Sequence, residues 1–260
     1  MAFVMLGRAQ RLEDLYITGG FDPDQIKCNP ESLAETERLE LLFEEKEQEE
    51  KEARSRCWKI SYLNVRSIKS SAGHRKDVSC DNLLMSTDMF ALGETWLESD
   101  EQVNFDGYSG YFANFGNGKG IAGYSKIDLL IAPIVVSSET YSAIVLKTKY
   151  FHVMFLYLSK NYNKEEFFKF LDKWIVSDVP TAIIGDINEN LGLFKRAPFM
   201  NKMISIGFQQ LIKEPTCTTG AIIDHVYVNN AMKALEVYTE IDAAYYSDHD
   251  IISLCVTKTE

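Results

Sequence analysis

Thr181–Asn188 reads TAIIGDIN, an apolar run that closes on a glycine, a carboxylate and, two residues further on, an amide. A short run of this kind, rich in β-branched residues, predicts a buried strand. Alternation along a strand sends Asp186 and Asn188 to the same side. Gly185 leaves room for another backbone to approach closely. The pattern recurs along the chain. Asn64 follows the apolar ISYL, Glu94 follows FALG, and Tyr157 stands near the end of FHVMFLYL. Asp224 opens DHVYV, and Asp248 and His249 precede IISLCV. Each of these alone is what turn chemistry supplies at a strand end, and His225 is equally at home as a hydrogen-bonded core or edge histidine. Taken together, they set ionisable residues on the ends of several strands, where loops provide functional surface.

Working outward, Cys57 onward consists of short β-like runs separated by turns. Candidate strands are WKISYLNV, DMFALGET, YFANF, GIAGYSK, LLIAPIVV, SAIVLKT, FHVMFLYLS, TAIIGDIN, DHVYVNN and IISLCVT. Candidate helices lie near Asp77–Met85, Lys164–Val176 and Pro198–Ile206. In the second, Phe167, Phe168, Phe170, Leu171 and Trp174 recur at helical spacing and mark a core-facing stripe. Many strands with few helices predict an α/β fold, two sheets packed face to face as a sandwich with helices outside.

Before Cys57 the texture differs. Residues 31–56 contain no Gly or Pro and are rich in Glu, Leu, Lys and Arg, with Asn29 as cap and Pro30 at the first helical position. An acidic linker helix is expected there, largely solvated. The domain plan is therefore 1–30, 31–56 and 57–258.

The composition, 46% apolar, suits a protein that buries a real core. Leu129–Val136, the longest apolar run, is too short to span a bilayer, and the opening MAFVMLGRAQRLED lacks signal-peptide features. Neither membrane insertion nor secretion is expected. Five scattered cysteines fit neither a disulfide framework nor a zinc site. The net charge of −11 runs against a nucleic-acid partner. Residues 1–56 hold 14 acidic against 8 basic residues, however, and several acids beyond them are candidate ligands. Clustered carboxylates repel unless a cation compensates them.

The series LNVRS, GETWL, GDIN, IDHVYV and YSDHD, in this order from Trp58 to Val256, resembles the endonuclease/exonuclease/phosphatase superfamily, the DNase I-like fold. Its compact form is similar to the apurinic/apyrimidinic-type endonucleases of non-LTR retroelements and some Helitron-like elements. The resemblance implies a Mg²⁺-dependent enzyme, with Mn²⁺ as an alternative ion, acting on DNA as a monomer and leaving a 3′-hydroxyl. It implies metal binding by Glu94 with Asn64, and Asp248 as a further acidic ligand. Asp186 would orient or deprotonate the attacking water, with Asn188 as its transition-state partner. His249 would contact the scissile phosphate, steadied by Asp224, with Tyr157 nearby and a hydroxyl from Thr216 or Thr218. The sequence departs from the pattern in YLSKN, where proline and asparagine often follow the tyrosine. It departs again at Arg66, two residues after Asn64, where Asp or Asn is common. A phosphatase or RNA-directed nuclease of the same fold, or a non-catalytic transposon remnant, are the competing readings.

AFVMLGRAQRLEDLYI resembles the last motif of PIF1-like helicases, with Arg8 at the position that contacts a nucleotide γ-phosphate. The chain has no G-x-x-x-x-G-K-[ST] loop, so it is not expected to act as an ATPase by itself. The order of helicase-like tail, acidic helix and nuclease-like domain resembles Helitron polyproteins. That resemblance implies a nuclear protein and a helicase portion within a larger polyprotein.

Overall fold

The computed structural model describes residues 34–43, 56–69, 77–116, 118–175, 178–193 and 197–258. The chain divides into two units, Met1–Ala53 and Arg54–Glu260. In the first, residues 34–43 are helical and exposed on every side, Leu39, Leu41, Leu42 and Phe43 included. Arg38 pairs with Glu35 at 2.7 Å one turn earlier. The helicase-like segment 1–30, with Arg8, lies outside the described residues, as do residues 31–33 and 44–55 of the segment expected to form the acidic helix.

The second unit is built on twelve described strands: β1 (Cys57–Asn64), β2 (Met89–Gly93), β3 (Ser109–Ala113), β4 (Ile121–Ser125), β5 (Ile134–Ser137), β6 (Tyr141–Lys147), β7 (His152–Leu158), β8 (Thr181–Asp186), β9 (Phe208–Gln210), β10 (Asp224–Asn229), β11 (Val237–Asp242) and β12 (Ile251–Thr257). They form two six-stranded sheets, ordered β11-β12-β1-β2-β4-β3 and β5-β6-β7-β8-β10-β9. Helices of this unit include α1 (Asn82–Met85), α2 (Lys164–Trp174), α3 (Pro198–Ser205) and α4 (Asn230–Lys233).

Each sheet carries one parallel pair at its centre, β1 with β2 and β7 with β8. Parallel neighbours need a crossover, and α2 supplies the second. Asn163 caps α2 by accepting from the Glu166 N–H at 3.3 Å. Acids in its first turn and Lys173 in its last complement the helix dipole. Phe167 and Leu171, one turn apart, are fully buried, the phenylalanine contributing roughly 2–3 kcal/mol by leaving water. The other expected helix, Asp77–Met85, breaks at Asp81, whose carboxylate caps α1 through the N–H groups of Leu83 and Leu84.

The central strands are covered on both faces, so they read as continuous apolar runs rather than alternating ones. Between the sheets lie Ile60, Tyr62, Phe155, Ile184, Val226 and Ile252. Outside the second sheet, Phe167, Phe199 and Met203 pack on Leu156, Ile183 and Tyr227. Outside the first, Leu84, Val103 and Phe105 cover Phe90, Leu92 and Tyr124.

Two sequence expectations need adjustment. LLIAPIVV is a strand only from Ile134, because Pro133 has no N–H for a ladder; Leu130 and Ile131 before it are exposed. Strands β9 and β11 were not anticipated. Both are edge strands, one of three residues and the other, VYTEID, only partly buried, so neither carries a strong apolar signal.

Candidate active site

Strand direction explains why distant polar residues meet. Parallel strands β1 and β2 end together, which brings Asn64 beside Gly93 and hence Glu94. In the other sheet β7 and β8 end together, with Tyr157 opposite Asp186. Strand β10 runs antiparallel to β8, so its first residue, Asp224, stands opposite Asp186. Strand β12 runs antiparallel to β1, with Ile252 opposite Tyr62, so the residues entering it, Asp248 and His249, arrive at the same pole.

Asn64 joins the two sheets at this pole. Its Nδ2 donates to Glu94 Oε1 at 3.1 Å and to Asp186 Oδ2 at 2.9 Å. Its Oδ1 accepts from the Arg66 N–H at 3.1 Å. With carboxylates on one side and an N–H on the other, the amide has one sensible orientation. Asn64 thus turns donors, rather than an oxygen, toward the carboxylates. Tyr157 stands by Glu94, and burial, followed by the charges of Glu94 and Asp186, raises its pKa above the usual tyrosine range.

Asp186 is fully buried. Its Oδ1 accepts from the Asn188 N–H at 2.9 Å, and Asn188 Nδ2 donates to the Leu158 carbonyl at 2.8 Å, tying this loop to the end of β7. Burial, then the charge of Asp224, pushes the Asp186 carboxyl up to about 8, against the opposing pull of His249, Asn64 and Asn188. Gly185 permits the approach: a Cβ there would collide with the Leu156 carbonyl oxygen.

His249 Nδ1 lies 2.9 Å from Asp224 Oδ2, and Thr216 Oγ1 donates to the same oxygen at 2.7 Å. A carboxylate acceptor fixes the proton on Nδ1 and leaves Nε2 for a ligand. Burial opposes the charged ring, but the hydrogen bond and charge of Asp224, with Asp186 and Asp248, raise its pKa to about 9. The Thr216 hydroxyl donates to Asp224, and the Thr218 N–H donates to the Asp248 carbonyl at 2.9 Å. Asp248 itself turns to the rim, where its Oδ2 pairs with Arg66 Nη1 at 2.8 Å.

Two residues at this pole, Tyr62 and Ser247, escaped the sequence reading. Tyr62, fully buried, aims its hydroxyl at the site from below, where burial and the charges of Asp186, Asp224 and Glu94 raise its pKa. Ser247 links the two loops, donating to the Asn64 carbonyl at 2.6 Å and accepting from the His249 N–H at 3.1 Å. Its place before DHD, as a serine able to form a local turn, was the available signal. His225 resolves toward its structural alternative. Nε2 bonds the Glu189 carbonyl at 2.9 Å and Nδ1 the Tyr227 hydroxyl at 3.0 Å, while burial lowers its pKa to about 4. This neutral ring pins the loop that follows Asp186.

The backbone is strained here. Among the described residues six non-glycines have positive φ, and five of them, Arg66, Ser67, Glu94, Trp96 and Asn188, belong to these loops. Such conformations cost energy and persist where surrounding contacts enforce them.

The residues fit a divalent cation. Ligand atoms of Asp186, Asp224 and His249 lie within 4.8 Å of one another. Buried oxygens Asp224 Oδ1 and Asp248 Oδ1 have no hydrogen-bond partner. Orphaned carboxylate oxygens, together with an aspartate driven to hold its proton, mark a surplus of negative charge.

No protein-family model matches the sequence, and no curated protein matches it. Solved structures do resemble it. An AP endonuclease from Archaeoglobus fulgidus is 17% identical with a TM-score of 0.61, over 78% of this chain and 100% of that one. The endonuclease domain of TRAS1, a telomere-specific non-LTR retrotransposon, is 14% identical with a TM-score of 0.58, over 77% and 98%. The 3′ phosphatase NExo from Neisseria, bound to product DNA hairpin, is 15% identical with a TM-score of 0.55, over 77% and 100%. The chain therefore has the DNase I-like fold, an α/β sandwich of two mixed sheets with flanking helices. No helix among the described residues is long and apolar enough to cross a membrane.

Proposed function

We propose that residues 57–258 are a divalent-metal-dependent phosphodiesterase that nicks DNA and leaves a 3′-hydroxyl. The observation that carries this reading is the Asn64 amide, which joins Glu94 of one sheet to Asp186 of the other across a single cluster holding His249 and Asp224. The likeness to an AP endonuclease and a retrotransposon endonuclease supports it at the level of fold.

Glu94, with Asn64 beside it, and Asp248 would hold the ion, Mg²⁺ or alternatively Mn²⁺, while Asp224 is kept for the His249 ring. A hard cation there offsets charge developing on phosphoryl oxygens and lowers the pKa of bound water. The chain's own residues account for the remainder. With a cation beside it, Asp186 would be ionised and would accept the proton of the attacking water. The Asn188 N–H fixes its carboxylate, and the side-chain bond to Leu158 keeps that loop in place. His249, protonated through Asp224, donates from Nε2 to a phosphoryl oxygen. Beside Asn188 a cavity of about 800 Å³, lined by Lys160, Lys164, Asn190 and Asn201 among others, offers donors to the strand next to the cut. Purified protein incubated with supercoiled plasmid, with and without Mg²⁺, tests the reading. Metal-dependent relaxed circles are expected; release of inorganic phosphate from a 3′-phosphate end without nicking would replace the endonuclease with a phosphatase.

The order of a PIF1-like tail, an acidic helix and this domain belongs to the same proposal. We read the chain as part of a Helitron-like transposon polyprotein that works as a monomer in the nucleus. A transcript whose sequence upstream of Met1 encodes a phosphate-loop helicase supports this reading, and one encoding unrelated protein defeats it.

A further inference from the structure

Arg66 follows β1 directly, with a left-handed φ of 47° and its N–H on Asn64 Oδ1. That backbone turn sends the side chain across the mouth of the site. Nη1 reaches Asp248 Oδ2 at 2.8 Å, and the guanidinium charge acts on the Tyr157 hydroxyl, offsetting part of the rise that Glu94 and Asp186 cause. The side chain is 60% exposed and Asp248 35% exposed, so the pair lies open to an incoming ligand. The other Asp248 oxygen, Oδ1, is buried and has no hydrogen-bond partner, so the aspartate is fixed from the guanidinium side alone.

A guanidinium has five donors in a planar fork, and one Nη on Asp248 leaves the others available. Across the mouth it pairs with Asp248, which precedes His249, and its charge reaches Tyr157, which stands by Glu94. A phosphodiester entering between Glu94 and His249 passes this fork. Where a second acid would repel that phosphate, arginine attracts it.

Resting on the phosphodiesterase reading, we propose that Arg66 is a substrate-binding residue whose guanidinium, parked on Asp248 in the free protein, grips a non-bridging oxygen of the scissile phosphate. Asp248 serves as its resting partner and aims it. Positive charge at this position is thus built into the chain.

The test uses the full chain. The preferred cut is first mapped on an end-labelled duplex with Mg²⁺. Binding is then measured in EDTA by fluorescence anisotropy on two short duplexes of that sequence, one with ordinary linkages and one with a neutral methylphosphonate at the mapped linkage. Arg66→Ala is expected to weaken binding to the first duplex about tenfold, to leave the second unaffected, and to reduce the salt slope by about one. Arg66→Lys should keep the slope while falling between the two in affinity, because it lacks the fork. The exposed position predicts an unchanged melting temperature for both variants. Equal losses on the two duplexes, or none on either, overturn the assignment while leaving the mapped cleavage intact. Failure of the wild-type chain to cut at all overturns the phosphodiesterase reading, and this proposal with it.

Discussion

Across 25 positions of sequence, His249 Nδ1 comes to 2.9 Å from Oδ2 of Asp224, with both side chains buried. The pair sets the charge of the ring. Removing the acid while keeping its shape, as Asp224→Asn, leaves burial to act with less opposition. The His249 pKa should fall from about 9 toward the ordinary 6.5 in an NMR titration of the metal-free protein. Activity should drop with it. An unmoved pKa would show that Asp224 does not control the ring.

Metal-free stability should depend on pH in a defined direction. Asp186 has a folded-state pKa of about 8, above the ordinary 3.8, so the folded state holds that proton more tightly. Its contribution is present at low pH and is lost as pH rises toward 8. His249, raised to about 9, contributes fully below 6.5 and loses that contribution as pH passes 9. Both slopes point the same way. In EDTA the melting temperature should fall between pH 6 and pH 9, and Mg²⁺ should restore most of the loss. A flat profile in EDTA sinks the argument.

Asp186→Asn separates charge from packing. The amide fills the same space without the buried charge, so cleavage should be nearly abolished while metal-free binding to DNA is unchanged or tighter. At neutral pH its melting temperature in EDTA should exceed that of the wild type. Weaker DNA binding in this variant would mean that Asp186 is a substrate-positioning residue and does not repel phosphate.

Gly93 is required by Tyr62. A Cβ at Gly93 would fall on the Tyr62 hydroxyl, which lies beneath the site without a well-formed hydrogen bond, its nearest candidate being the backbone of Asp186. Gly93→Ala should cost about 2 kcal/mol through overpacking. Adding Tyr62→Phe should recover part of that loss, since it removes the colliding oxygen. Additive losses in urea denaturation would show that the two positions do not meet.

Residues Met1–Ala53 form a unit of their own, and the described helix 34–43 exposes every side chain. Deleting residues 1–53 should therefore leave the melting temperature of the remainder nearly unchanged. A large loss would place part of the core on the wrong side of that boundary.

What the sequence by itself determined was local. Apolar runs with polar ends named Asn64, Glu94, Tyr157, Asp186, Asn188, Asp224, Asp248 and His249, and also the two-sheet sandwich, because strand period and turn chemistry act within a few residues. Its weakest signals were β9 and β11, where partial burial at a sheet edge leaves little apolar pattern. Only the tertiary structure decided what those residues touch. Parallel pairing in each sheet brought four strand ends to one pole, so the Asn64 amide found two carboxylates and Tyr62 came to lie beneath them. Arg66 is the clearest case. In sequence it is an odd residue after a strand; a left-handed turn and a loop 182 positions away make it the partner of Asp248. Hydrogen bonds and ion pairs depend on ångström distances between segments remote in the chain, and no local periodicity encodes those distances.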